Sequence, residues 1–121
     1  MELRRAIVFV KNLQRMASFY GDTLGLKALP EGATGEWVEF EAGNVSFALH
    51  AIPDSIADAI SISDPPRRRN ETPIKLVFGV DNVAAQRRRL LEHGISMSEI
   101  HPWGGCDGID PEGNVFQIVA K

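Results

Sequence analysis

The chain has 121 residues, 44% hydrophobic and 24% charged, which leaves room for one globular domain or two small modules sharing a core, but not for two independent enzyme domains. Its 13 basic and 16 acidic side chains give a net charge of -3, which disfavours nucleic acid as a partner because phosphate neutralisation needs a basic surface. One cysteine excludes an internal disulfide and a thiolate zinc site, and the absence of any apolar run near the roughly 20 residues of a bilayer span, or of an apolar signal-peptide core, makes the cytoplasm the expected compartment, with no membrane partner.

In chain order, the run from Leu3 to Val10 ends Ala-Ile-Val-Phe-Val, whose β-branched and aromatic content predicts a strand buried on at least one face. Asn12 suits a helix N-cap. Leu13, Met16, Ala17 and Tyr20 follow at the spacing of an amphipathic helix, which Gly25 can end. Three strands are then predicted, near Leu26 to Leu29, over Trp37 to Glu41 and over Val45 to Ala51. Residues 53–73 carry Pro65-Pro66 and Arg67-Arg68-Arg69 and read as an exposed linker or lid, with a short helix over Ser55 to Ile60. The second half starts with a strand over Ile74 to Val80. A helix from Asn82 or Val83 to His93 follows, with Val83, Leu90 and Leu91 as its buried stripe, Arg87 to Arg89 in water and Gly94 as its stop. His93 then offsets the helix dipole. Strands near Ile95 to Glu99, Trp103 to Ile109 and Asn114 to Ala120 complete the chain, the last two joined by the turn Asp110-Pro111-Glu112-Gly113-Asn114.

The two halves repeat one plan. Val80 and Asn82 stand 70 positions after Val10 and Asn12, and Gly113-Asn114-Val115 stands 70 after Gly43-Asn44-Val45. Both read βαβββ, so the fold class is α+β. Residues 1–121 form a single domain made of one module over 1–52, the linker or lid over 53–73 and a second module over 74–121. A module of this size leaves one sheet face bare, and two of them pairing into a curved mixed sheet would enclose a trough suited to a small molecule.

Six motifs span the chain in this order: Val10-Lys11-Asn12-Leu13, Phe19-Tyr20, Leu24-Gly25-Leu26, Val80-Asp81-Asn82-Val83, Trp103-Gly104-Gly105 and Asp110-Pro111-Glu112-Gly113-Asn114. Together they resemble the vicinal oxygen chelate superfamily, which includes glyoxalase I, bleomycin resistance proteins, extradiol dioxygenases and methylmalonyl-CoA epimerase. The resemblance implies paired modules around a cavity, a homodimer and, in catalytic members, a divalent metal held by His, Glu or Gln from four strands. Carried onto this chain, those positions fall on Arg5, on Ala48 (or Phe47 at a strict 70-residue offset), on Lys75 and on Gln117. Two cations without a free lone pair repel a metal, and Ala or Phe cannot bind one. His50, on the same strand face as Ala48, would with Gln117 leave a two-ligand remnant at most.

The expectation is therefore a protein that binds a small organic ligand in the inter-module cavity through Arg5, Trp37, Phe47, Ala48, His50, Lys75, Trp103 and Gln117, with no family-type metal or other cofactor and no assigned catalytic residue. The alternative for Arg5 is pairing with Glu39 or Glu41, and for Lys75 exposure to solvent. One alternative is a metal-dependent lyase, isomerase or dioxygenase acting on vicinal oxygens. Another is a protein-interaction module using Arg67 to Arg69, since residues 65–93 hold seven basic and three acidic side chains. His101 and Cys106 are close enough in sequence for a thiolate–imidazole pair, but no third residue to orient them is evident, and Cys106 reads as a small semi-buried residue.

Overall fold

In the computed structural model, which describes residues 1–121, a strand over Arg5–Val10 (β1) runs directly into a helix over Leu13–Ser18 (α1). The switch is made by Asn12, whose extended backbone and side-chain oxygen, accepting from the Arg15 N–H, satisfy a helix donor that has no partner within the helix. The helix widens into a π-type turn over Phe19–Thr23 and stops where Gly25 takes φ +88°, with the Leu26 N–H folded back onto the Tyr20 carbonyl. Strands Trp37–Ala42 (β2) and Val45–Ala51 (β3) complete a sheet of order β1-β3-β2, in which β3 lies parallel to β1 and antiparallel to β2. Alternation places Val10, Phe40, Phe47 and Leu49 under the helix, where they are buried with Met16, Phe19 and Tyr20.

The second unit repeats this plan with β4 (Leu76–Val80), α3 (Val83–Glu92), β5 (Cys106–Ile109) and β6 (Val115–Ala120), in sheet order β4-β6-β5. Asn82 caps α3 through the Ala85 N–H, as Asn12 does in α1. Phe116, Ile118 and Cys106 are buried on the helix side with Leu90. Gly108 is required there, because a Cβ at that position would overlap the Phe116 ring and the Met97 sulfur. No helix of the chain is long and apolar enough to cross a membrane.

The α+β class and the repeat of one plan in two three-stranded sheets match the sequence reading, with local corrections. The strands predicted near Leu26–Leu29 and Ile95–Glu99 are each reduced to one bridge, Ala28 to Phe40 and Met97 to Gly108. Pro30 opens a tight turn immediately after the first. The strand predicted from Trp103 starts only at Cys106, because Trp103 and Gly104 form a turn with Gly104 at φ +99°. Leu90 is buried but Leu91 is 42% exposed, since neighbouring helical residues point about 100° apart. Arg87 does not face water. It shares the Val83 face, and its Nε donates to the Ser98 carbonyl at 2.7 Å while Nη2 pairs with Glu99 at 3.0 Å.

The chain divides into compact units Met1–Ser61 and Ile62–Lys121, so the boundary falls inside the predicted linker. That segment is held at both ends. Its helix, Asp54–Ala57 (α2), buries Ala57, and the Ile60 carbonyl accepts from the Lys11 ammonium. Further on, the Arg69 N–H donates to the Gly113 carbonyl at 2.9 Å. Gly113, at φ +86°, lies against the Arg67 carbonyl and leaves no room for a side chain.

Candidate functional site

Each sheet has one face covered by its helix and one open face, and the register fixes which residues share the open one. In the first unit three rungs cross it: Phe9–His50–Trp37, Ile7–Ala48–Glu39 and Arg5–Ser46–Glu41. The upper rung is an aromatic row, with His50 set 5.4 Å from both the Phe9 and the Trp37 ring centroids. Ala48 is fully buried beneath its neighbours despite facing the open side. Arg5 reaches diagonally across the face. Its Nε lies 2.7 Å from Glu39 Oε1 and its Nη2 3.2 Å from Oε2, a two-point ion pair, and its guanidinium sits 5.4 Å from the Trp37 ring centroid. A hollow of about 400 Å³ opens between Arg5, Trp37, Glu39 and the Leu29–Gly32 turn.

The second unit builds its open face around Asp107, which pairs in register with Gln117, itself opposite Val77. Asp107 Oδ1 accepts from Lys75 Nζ at 3.2 Å and from Gln117 Nε2 at 2.9 Å, and Oδ2 lies 3.5 Å from His101 Nε2. Burial pushes the Asp107 carboxyl up. The bonds from Gln117 and Lys75, the Lys75 charge and the His101 contact outweigh it and hold the carboxyl below its ordinary value. His101 in turn stacks on Trp103, with centroids 5.2 Å apart and planes at 18°.

Register makes the two faces equivalent. Ala48 and Gln117 occupy matching central positions, Glu39 and Asp107 stand beside them, and Arg5 and Lys75 supply the cations. Each sheet therefore carries a closed cation–carboxylate pair at the same place.

Residues 6–119 match the family model described as a glyoxalase-like domain. The chain belongs to that family. Solved structures carry the same fold across their length. One, a protein of unknown function from Agrobacterium tumefaciens str. C58, is 29% identical, with a TM-score of 0.72 over 100% of this chain and 94% of its own. The antibiotic binding protein TnmS3 from Streptomyces sp. CB03234 is 22% identical, with a TM-score of 0.71 over 99% and 95%. The bleomycin resistance determinant encoded on the transposon Tn5 is 16% identical, with a TM-score of 0.65 over 100% and 98%. No curated protein matches the chain.

Within this glyoxalase-like fold, the residues singled out in the sequence fall into separate groups. Arg5, Trp37, Ala48 and His50 share the open face of the first sheet, while Lys75 and Gln117 meet at Asp107 on the second. Phe47 is not on the open face: it packs under the helix, 4.9 Å from the Tyr20 ring centroid. A strict 70-residue offset pointed to Phe47. The register selects Ala48, because Gln117 follows its β4 partner Val77 by one residue fewer than Ala48 follows its β1 partner Ile7. Trp103 lies 59% exposed in its turn, with its ring over Gly105. Arg5 takes the Glu39 pairing that the sequence offered, whereas Lys75 pairs with Asp107 rather than with solvent.

The donors do not fit the metal that the resemblance implies for catalytic members. Arg5 and Lys75 are cations engaged with carboxylates and Ala48 has no donor, so of these four positions Gln117 alone, through its carbonyl oxygen, offers a lone pair. No group of three among His, Cys, Asp and Glu comes together. His101 pairs with Asp107 and not with Cys106, which is fully buried on the opposite, helix-facing side. Burial pushes that thiol up, Arg87 partly opposing and Asp107 reinforcing the shift, so it is a packed core residue rather than a nucleophile. His93 Nδ1 donates to the Arg89 carbonyl at 2.8 Å, a bond at the C-terminal end of α3.

Proposed function

We propose that this glyoxalase-like protein binds a small organic ligand on the open faces of its sheets and needs no resident metal or other cofactor to do so. The observation that carries this reading is the doubled ion pair, Arg5–Glu39 and Lys75–Asp107, standing where a metal-dependent relative would need lone-pair donors. Around these pairs the faces carry the means to hold an organic molecule. Phe9, His50 and Trp37 present a row of rings to a flat apolar group, and Gln117 and His101 present hydrogen-bonding atoms beside Asp107. The fold shared with an antibiotic binding protein and a bleomycin resistance determinant adds support.

The same reading takes the protein to be cytoplasmic and to act as a homodimer, the second because Ile7, Phe9 and Val77 leave apolar surface exposed on these faces. Native mass spectrometry of the purified protein tests both statements at once. A dimer carrying an organic mass that is released on denaturation, with Trp37→Ala weakening its rebinding, is the expected result. A stoichiometric divalent metal that resists dialysis and is lost in Gln117→Ala would overturn the metal-free reading.

A further inference from the structure

Most basic side chains that reach into a functional face of this protein are already engaged. On the open faces Arg5 is held by Glu39 and Lys75 by Asp107, and on α3 Arg87 is held by Glu99. Arg68 differs: it is exposed, forms no ion pair with a carboxylate, and lines a hollow of about 240 Å³ in the second unit. The hollow is also lined by the polar residues Ser96, Ser98 and Asp107 and by the apolar residues Met97, Ile109 and Val115.

Two features keep Arg68 at that place. The residues on either side of it are fastened to the β5–β6 turn, because the Arg69 N–H donates to the Gly113 carbonyl at 2.9 Å and the Arg67 carbonyl packs against the bare Cα of Gly113. That turn is itself rigid. Asp110 is fully buried and its carboxylate accepts from the N–H groups of Glu112 and Asn114 and from the Asn114 amide, each at 2.9 Å. The other charge lining the hollow is already compensated, since Asp107 Oδ1 takes bonds from Lys75 and Gln117 and Oδ2 faces His101. Arg68 is left as the uncompensated charge of a half-apolar hollow.

We infer that this hollow is an oxyanion subsite, in which Arg68 binds the carboxylate or phosphate of a small organic acid while Met97, Ile109 and Val115 receive its apolar body. A guanidinium fork matches the two oxygens of such a group, and the hollow is smaller than the roughly 300–1,000 Å³ of drug-sized sites. The inference rests on the ligand-binding reading above and narrows its ligand to an organic oxyanion.

The test is an amide NMR titration of the full chain with acetate, 4-methylpentanoate and inorganic phosphate. Saturable shifts are expected at Ser96, Met97, Ser98 and Gly108. Affinity should rise from acetate to 4-methylpentanoate by about fourfold for each methylene buried, and Arg68→Gln should weaken binding by about tenfold or more. Arg88→Gln, which removes another unpaired guanidinium on α3 away from the hollow, should leave binding unchanged. A preference for 4-methylpentanoate assigns a carboxylate and a preference for phosphate assigns a phosphate ester; either one, lost in Arg68→Gln, supports the subsite. Absence of saturable shifts at the hollow, or shifts undiminished in Arg68→Gln, overturns it. If the co-purifying ligand moves Trp37 and His50 while these probes leave the hollow untouched, the subsite alone fails and the broader reading stands.

Discussion

Replacing Gly113 by alanine separates the two demands that the β5–β6 turn makes on this residue. At φ +86° an L-residue pays about 1–2 kcal/mol for the left-handed conformation, and the less flexible unfolded chain returns about 0.4–1 kcal/mol, so conformation alone costs about 1 kcal/mol. Gly94 isolates that term. It has φ +78° and nothing within 4 Å of where a Cβ would lie. At Gly113 the new methyl would overlap the Arg67 carbonyl oxygen and would stand 3.3 Å from the Arg67 carbonyl carbon and 3.4 Å from Arg69 Cγ. The first two of these are backbone atoms, so the linker must lift away, giving up the Arg69 N–H bond to the Gly113 carbonyl, worth about 1 kcal/mol, and part of its packing. Gly113→Ala should therefore lose about 2–3 kcal/mol in urea unfolding, against about 1 kcal/mol for Gly94→Ala. Because the linker also sets Arg68, acetate binding at the hollow should weaken in Gly113→Ala and not in Gly94→Ala. Equal losses in the two variants would show that the linker is not docked on the turn, and would remove the support for a positioned Arg68.

Three further outcomes follow from named contacts. The Asp107 carboxyl titrates lower in the folded chain than in the unfolded one, so between those two values the unfolded chain binds more protons and stability rises with pH. That contribution is complete above the unfolded carboxylate value of about 3.9 and is lost as pH falls through the depressed native value; Asp107→Asn should flatten this acid limb of the stability curve, and an unchanged limb would refute the network around Asp107. Cys106 should resist a thiol reagent at pH 8 until the protein unfolds, and rapid stoichiometric labelling of the native state would contradict its burial. Leu90→Ala should cost about 2–5 kcal/mol in chemical unfolding and Leu91→Ala less than about 0.5 kcal/mol; comparable losses would mean that the helix presents a different face to its sheet.

What was legible in the sequence was what local chemistry decides. Asn12 and Asn82 announce their helices because a cap needs only a neighbouring N–H, and Gly25 and Gly94 end them because the left-handed turn is a property of one residue. The short outer strands misled because their alternation is real but their pairing is not local: Ala28 and Met97 each find one partner, and Pro30 closes the first before a ladder can grow.

The site divides along the same line. Arg5 and Lys75 stood out as cations in positions where a resemblance wanted metal ligands, and Glu39 was within sight as a partner for Arg5. Asp107 was not, since between Cys106 and Gly108 nothing nearby marks it; it becomes conspicuous only when β5 is laid beside β6 and Asp107 falls opposite Gln117. Once that register is known, Asp107 and Glu39 explain each other. A cation set among apolar neighbours on a sheet face requires a counter-charge within reach, and the closest place that alternation allows is the carboxylate position across the central strand. The two modules meet this requirement differently. Arg5 uses its fork to close on both oxygens of Glu39 without help, whereas Lys75 brings a single point charge and leaves Asp107 lone pairs that Gln117 and His101 share. The second face is consequently the one with exchangeable hydrogen bonds, and it is also the face beside the hollow that Arg68 lines.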